Sequence, residues 1–325
     1  MDPEVYAPSA CIASRAAELY FVEGASQREI CDRLGVSVST VSRLVNRARE
    51  ESLVSIAIAE PYASCLRLER DLKAAYHLKE VLVPPNLSPD SDEANRAVAI
   101  EGARLVQRLT TAEDTLGVAW GGTVRRVIHY LNPCRKIPAS FVALHGSIPC
   151  YGADLNPQSL VERMAMAFGG RQRALHHPGL QPSEADVANL LEEPDVARLY
   201  DLYAGITISL ASIGSFRPEL ASRLAHNYLA PDELQNLIEA GVVGDLVLRF
   251  FDGAGQECDT DLSDRTLAIP FDQYRRIPFK LVVASGELKA LTLHAALEGG
   301  LVDALVVDES LARAVAALKG VGPRS

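Results

Sequence analysis

Between Ser26 and Arg49 the order of side chains leaves little choice of backbone. Ser26-Gln-Arg-Glu29 has the S-x-x-E form of a capping box, which starts a helix by satisfying two of its free N–H groups. Ile30 and Leu34 then share one face, and Gly35 stands where a helix ends in the left-handed conformation. Val36 plugs the turn and Ser37 can cap a second helix. In that helix Val38, Val41, Leu44, Val45 and Ala48 recur at helical spacing and form its buried face, leaving Ser39, Thr40, Arg43 and Arg47 on the other. An earlier helix, around Ala13 to Val22, supplies Ala16, Leu19 and Tyr20 as packing partners. The prediction is helix, tight turn, helix, with the second helix polar and basic on one side. That geometry seats a helix in the major groove of DNA. The candidate contacts are Ser37, Ser39, Thr40, Ser42, Arg43 and Arg47. The alternative is an amphipathic hairpin with a solvated polar face. Beyond it, Leu53-Val-Ser-Ile-Ala-Ile58 reads as a short strand, a candidate wing, stopped by Pro61.

The charge balance qualifies this reading. The net charge of −10 disfavours a protein that wraps nucleic acid with its whole surface, and so a structural DNA-packaging role. Between Ser37 and Arg49, however, there are three arginines and no acid, a local excess that phosphates would feel within a Debye length. The six cysteines, Cys11, Cys31, Cys65, Cys134, Cys150 and Cys258, show no CxxC spacing and are expected to be reduced. No apolar run has signal-peptide form or membrane-spanning length, so a cytoplasmic protein is expected.

The rest of the chain has another character. Residues 62–76 are helical in pattern, with Leu66, Leu68 and Leu72 among charged residues, and suit either an ordinary surface helix or a connector that also packs on a partner subunit. Apolar strands then alternate with helices. The predicted strands are Lys79–Pro84, Thr115–Ala119, Phe141–Leu144, Ile206–Leu210, Leu281–Ala284 and Ala304–Val307, and Asp92–Leu109 is a long amphipathic helix. Continuous apolar strands separated by helices imply a parallel sheet covered on both faces. The fold class is thus α/β, a Rossmann-like body behind a helix-turn-helix domain. The predicted divisions are 1–60, a linker helix over 61–78 and a ligand-binding body over 79–325. Glycine-bearing turns follow several strand ends, the edge where open α/β sheets bind ligands.

These residues resemble the SorC-type sugar-binding transcriptional regulators over nearly the whole chain. The likeness is carried by Gln27-Arg-Glu-Ile30, Leu34-Gly-Val-Ser37 and Val41-Ser-Arg-Leu44, then Gly117-Val-Ala-Trp-Gly-Gly-Thr123, Gly244-Asp245, Arg265, Ala284-Ser-Gly-Glu-Leu-Lys289 and Ala295-Ala-Leu-Glu-Gly-Gly300. Two places depart from the family pattern: Ser285 replaces a glycine, and the turn after the third predicted strand is His145-Gly146-Ser147. The resemblance implies a regulator whose effector domain is similar to ribose-5-phosphate isomerase and glucosamine-6-phosphate deaminase. It implies a homo-oligomer, dimer or tetramer, on palindromic double-stranded DNA, answering to a sugar phosphate, sugar or polyol. No cofactor and no membrane association are expected.

The candidate effector residues are Gly121, Gly122, Thr123, Gly146, Ser147, Gly214, Ser215, Asp245, Arg265, Gly286 and Lys289. Gly121-Gly122-Thr123 follows a strand and opens a helix, where backbone N–H groups favour an anion. Lys289 adds a charge near another helix start. The resemblance makes Arg265 a phosphate clamp, a task suited to a planar guanidinium. Gly214 and Ser215 could donate to sugar hydroxyls. Thr123, Arg265 and Lys289 are expected to converge on one anionic group. The competing function is a sugar-phosphate isomerase or deaminase with an attached DNA-binding domain. Glu287 and Asp245 are its candidate bases, and nothing pairs either with a proton-transfer partner. His145 could touch a sugar. His176 and His177 lack a third partner at metal-ligand spacing.

Overall fold

A computed structural model describes residues 3–148, 156–216 and 229–321. It divides into two compact units, residues 1–59 and 60–325. Cys150 lies outside the described residues.

The smaller unit holds α1 (Pro3–Ala17), α2 (Gln27–Leu34) and α3 (Val38–Glu50), with α1 continuing into a wider π turn over Glu18–Val22. Both ends of the α2–α3 turn form as their residue types require. Ser26 Oγ accepts from the Glu29 N–H while the Glu29 carboxylate accepts from the Ser26 N–H at 2.8 Å. Gly35 sits at φ +67°, which a side chain would resist, and its N–H reaches Cys31 O at 2.8 Å. Ser37 Oγ caps α3 through the Thr40 N–H. Ala13, Ala16, Ala17, Ile30, Val41, Leu44, Val45 and Ala48 make the core.

Three expectations for this unit need correction. Val38 is 47% exposed, because it begins α3 and Val41, one turn on, is the first apolar residue of that helix to reach the core. Tyr20 is 39% exposed on the π turn; Leu19 packs as expected, and Phe21 rather than Tyr20 joins it. Leu53–Ile58 forms no strand. The Leu53 and Val54 N–H groups both turn back to Ala48 O at the end of α3, and Ile56 and Ile58 stay exposed. Branched side chains favour a strand only where another strand accepts the ladder.

The larger unit is built on a seven-stranded, wholly parallel sheet. Its strands are β1 (Glu80–Leu82), β2 (Thr115–Val118), β3 (Ser140–Ala143), β4 (Arg171–Arg173), β5 (Ile208–Ala211), β9 (Phe279–Ala284) and β10 (Ala304–Val307). The order across the sheet is β1-β10-β9-β5-β2-β3-β4. Alternate residues of one strand serve two cores: Leu281 and Val283 pack on one face, Val282 and Ala284 on the other. This is why the strands read as unbroken apolar runs rather than as alternating ones. The first face is covered by α5 (Ser91–Leu109), α6 (Gly122–His129) and α7 (Pro157–Phe168). The second is covered by α4 (Tyr62–Ala75) and the helices Ala290–Glu298 and Glu309–Lys319. α4 buries Cys65, Leu68 and Leu72, and Leu66 faces outward.

β6 (Ile213–Ser215), β7 (Gly244–Leu246) and β8 (Arg249–Phe251) form a separate antiparallel sheet. Gly214 and Ser215 therefore belong to this second sheet. β7 and β8 are joined by Val247 and Leu248, both at positive φ (+54° and +63°) and both buried. Positive φ is costly for a branched residue such as valine, so this turn is held by its surroundings.

Candidate functional site

The sheet order fixes where a ligand can sit. From β2 the chain moves to β3 on one side, and from β5 it moves to β9 on the other, yet β2 and β5 are neighbours. Their C-terminal ends therefore diverge into a crevice, the topological switch point at which open α/β sheets take ligands. A cavity of about 340 Å³ lies there. One wall is Trp120, Gly121, Gly122, Thr123, Arg125 and Arg126, from the end of β2 into α6. Facing it are Ser212, Ile213 and Gly214 after β5, together with Asn95, Asp245 and Lys289.

Each polar group is placed by a nameable cause. Gly121 lies at φ +138°, open to glycine alone in practice, and its carbonyl accepts the Arg125 N–H to begin α6. Thr123 is buried, and its Oγ1 accepts from Asn95 Nδ2 at 3.2 Å. The turn is anchored from behind by His145. Its Nε2 accepts from the Trp120 N–H at 3.0 Å, and its Nδ1 donates to Gly146 O at 2.8 Å. Burial pushes the His145 pKa down to about 4, against a weaker opposing hydrogen bond to Gly146, so the ring is neutral at pH 7.

Opposite the turn, Asp245 is only 5% exposed. Burial pushes its pKa up to about 7, against the Leu248 N–H and the charge of Lys289. The strained Val247-Leu248 turn thus aims one of its N–H groups at this carboxylate. Gly214 leaves the carboxylate its room, since a Cβ there would stand 2.0 Å from Asp245 Oδ1 and force it to shift. Lys289 is half-buried. Burial lowers its pKa, and the carboxylates of Asp245 and Asp308 oppose that shift. Asp308 is buried yet held below the usual carboxylate range. Burial alone would raise it, but hydrogen bonds from Ser310, Gly286, Leu311 and Ser285 outweigh that.

Of the predicted effector residues, the structure brings together Gly121, Gly122, Thr123, Gly214, Asp245 and Lys289. The rest go elsewhere. The Gly146 N–H bonds to Leu267 O and the Ser147 N–H to His177 O, so this turn is a brace. A Cβ on Gly146 would meet His177 O at 2.5 Å. Ser215 Oγ accepts from Thr292 Oγ1. Gly286 donates to Asp308 Oδ2 at 2.7 Å and lines, with Ser285, a neighbouring cavity.

The expected convergence of Thr123, Arg265 and Lys289 fails at Arg265. This arginine caps the short helix Asp261–Asp264 and pairs with Glu233 and Gln181 O, away from the crevice. Arg125 and Arg126 supply the guanidinium groups instead, Arg126 being held by Asp92. Their position in the first turns of the helix after Gly-Gly-Thr was a signal available in the sequence. Asn95 was not foreseen either.

In the smaller unit, Ser37, Ser39 and Arg43 are exposed on α3, and Thr40, Ser42 and Arg47 are half-buried. Ser37 Oγ lies within 3.0 Å of both Ser39 Oγ and Thr40 Oγ1. Arg47 Nε bonds Glu51 at 2.6 Å, an acid just beyond the basic stretch. Among the described residues Arg43 makes no ion pair and reaches only Thr40 Oγ1, at 3.4 Å. Among the described residues, no group of three or more His, Cys, Asp or Glu side chains could hold a metal ion, and no helix is long and apolar enough to cross a membrane.

Comparison with known proteins agrees with this layout. Residues 60–317 match the family described as "Putative sugar-binding domain", and residues 15–51 match sigma-70 region 4. The chain is 28% identical over 306 residues to a deoxyribonucleoside regulator of Bacillus subtilis, covering 94% of this chain and 96% of that protein. It is also 28% identical to the sorbitol operon regulator of Klebsiella pneumoniae, covering 92% and 95%. The crystal structure of that full-length regulator, SorC, superposes with a TM-score of 0.75 at 26% identity, covering 93% of this chain and 97% of that one.

Proposed function

Because the chain belongs to the SorC-type family of sugar-binding transcriptional regulators, we propose that its effector is a sugar phosphate bound in the crevice between β2 and β5. The protein is a DNA-binding transcriptional regulator under carbohydrate control, not an enzyme. One observation carries the finer reading. A glycine turn that presents helix-start N–H groups shares a cavity with Lys289, Arg125 and Arg126, and a buried carboxylate, Asp245, faces them. The cationic side suits an anion. Asp245 suits hydroxyl groups, to which a carboxylate accepts strongly. A ligand with both kinds of group fits better than a plain sugar or an inorganic ion.

Lys289→Ala is expected to weaken effector binding by roughly 1.5–3 kcal/mol, the range for a hydrogen bond to a charged group. Operator binding should be retained. A thermal-shift screen of sugar phosphates against their unphosphorylated counterparts identifies the ligand, since a ligand that prefers the native state raises its melting temperature. Calorimetry on the variant then gives the loss. Equal affinity in the variant and native protein would refute the assignment.

For the operator, α3 is the proposed reading helix and Arg43 its leading contact. A single helix reads few base pairs, so a symmetric assembly on a palindrome, with half-sites about 10 base pairs or a multiple apart, is the corresponding expectation. Arg43→Ala should lower specific affinity by about 1–3 kcal/mol if it reads a guanine. A gel-shift titration with unchanged affinity would remove Arg43 from the reading surface.

A further inference from the structure

Among the described residues, three side-chain amide oxygens are buried without a hydrogen-bond partner: those of Asn86, Asn95 and Gln273. Of the three, only Asn95 lines the crevice that holds Thr123, Asp245 and Lys289. Buried polar atoms in folded proteins are almost always paired, so an exception in a ligand-sized cavity calls for a reason. The other half of this amide is engaged, because Nδ2 donates to Thr123 Oγ1 at 3.2 Å. That bond leaves the Thr123 hydroxyl hydrogen free to point elsewhere. The pair therefore shows two polarities side by side: Thr123 offers a donor and Asn95 Oδ1 an acceptor.

We propose that Asn95 is a specificity-determining residue that accepts a hydrogen bond from an effector hydroxyl close to the phosphate, while Thr123 donates to a phosphate oxygen. The inference rests on the sugar-phosphate reading above and narrows it. A phosphate dianion has acceptors only and cannot satisfy an amide oxygen. The ligand must therefore carry an O–H near its phosphate. α5 holds Asn95 in place near its start, where Asp90 caps the helix and Asp92 pairs with Arg126. The same first turns of α5 thus steady both the hydroxyl acceptor and one of the guanidinium groups.

Two probes of equal carbon count test this. sn-Glycerol 3-phosphate and n-propyl phosphate share a phosphate and a three-carbon chain, and differ in hydroxyl groups. Calorimetric titration of the full-length protein is expected to show glycerol phosphate binding at least about tenfold tighter than propyl phosphate. Asn95→Leu, without the acceptor, should cut the preference for glycerol phosphate over propyl phosphate by about fivefold or more. Asn95→Asp keeps an oxygen acceptor and guards against misfolding of the leucine variant. It should weaken both probes through its charge and preserve the preference between them. Equal binding of the probes to the native protein, or a preference that is undiminished in Asn95→Leu or vanishes in Asn95→Asp, would overturn the role of Asn95 alone. Binding of neither probe to the native protein would overturn the anion-site reading, and this inference with it.

Discussion

Asp245→Asn is expected to make the protein more stable above pH 7, by on the order of 2–4 kcal/mol, while removing its response to effector. The carboxyl is buried, and its pKa stands at about 7 in the fold against an ordinary value of 3.8. The native state therefore holds this proton more tightly than the unfolded chain does. Its contribution to stability is full below the unfolded pKa and is lost as pH rises through about 7, where the fold must carry a buried negative charge. Asparagine cannot ionise, and its oxygen can still accept from the Leu248 N–H. The gain should thus be small at pH 4 and grow towards pH 8. Urea unfolding at several pH values measures it, and an advantage that does not change with pH would exclude burial of the charge as its cause. Such a trade of stability for function is common where a site demands an unfavourable group.

His145→Leu should have the opposite sign. The native imidazole is neutral and buried, with a pKa of about 4 against 6.5 for an ordinary histidine. Here the unfolded chain binds the proton more tightly. The stabilisation is complete above about pH 6.5 and is lost as pH falls towards 4, about 3 kcal/mol in all. Between pH 4 and 6.5 the His145 and Asp245 contributions run against each other and flatten the native profile. Leucine removes the rising contribution, so the variant's stability should fall as pH rises across that interval. It should also lose roughly 1–3 kcal/mol at pH 7, because leucine takes away the acceptor that His145 Nε2 offers the Trp120 N–H. Chemical unfolding from pH 4 to 8 tests both parts. A variant profile parallel to the native one would show that His145 does not titrate as its burial implies.

What was legible in the sequence depended on how local its cause was. The Ser26–Glu29 capping box, the Gly35 turn and the Ser37 cap involve partners three or four residues apart, and each formed. The sheet was legible because β10 and the Leu281–Ala284 part of β9 are unbroken apolar runs, and β2 and β5 nearly so, which two-sided burial explains. The Gly121-Gly122-Thr123 turn was legible because glycine at a strand end needs a special backbone. Arg265 was misplaced because its partner, Glu233, lies 32 residues away and no local pattern links them. Asn95 escaped notice for the same reason, being joined to Thr123 across 28 residues. Leu53–Ile58 has strand-like residues, but a strand needs a neighbour, and that requirement is not written in the segment itself.

The order of the sheet also sets a timetable for synthesis. Among the described residues β1 is an edge strand whose only neighbour is β10, through the pairs Glu80↔Ala304 and Leu82↔Val306. The α1–α3 unit, by contrast, closes entirely through contacts among its own first residues. On the ribosome that unit can fold once it clears the exit tunnel. β1 must wait for almost all of the remaining chain, on the order of ten seconds or more at about 5–20 residues per second. Every newly made molecule thus passes through a period when its α1–α3 unit is closed and the sheet of its larger unit is still open at one edge. Nascent or prematurely terminated chains would carry a closed α1–α3 unit beside an unfinished sheet, with the exposed edge of β1 as a target for proteolysis.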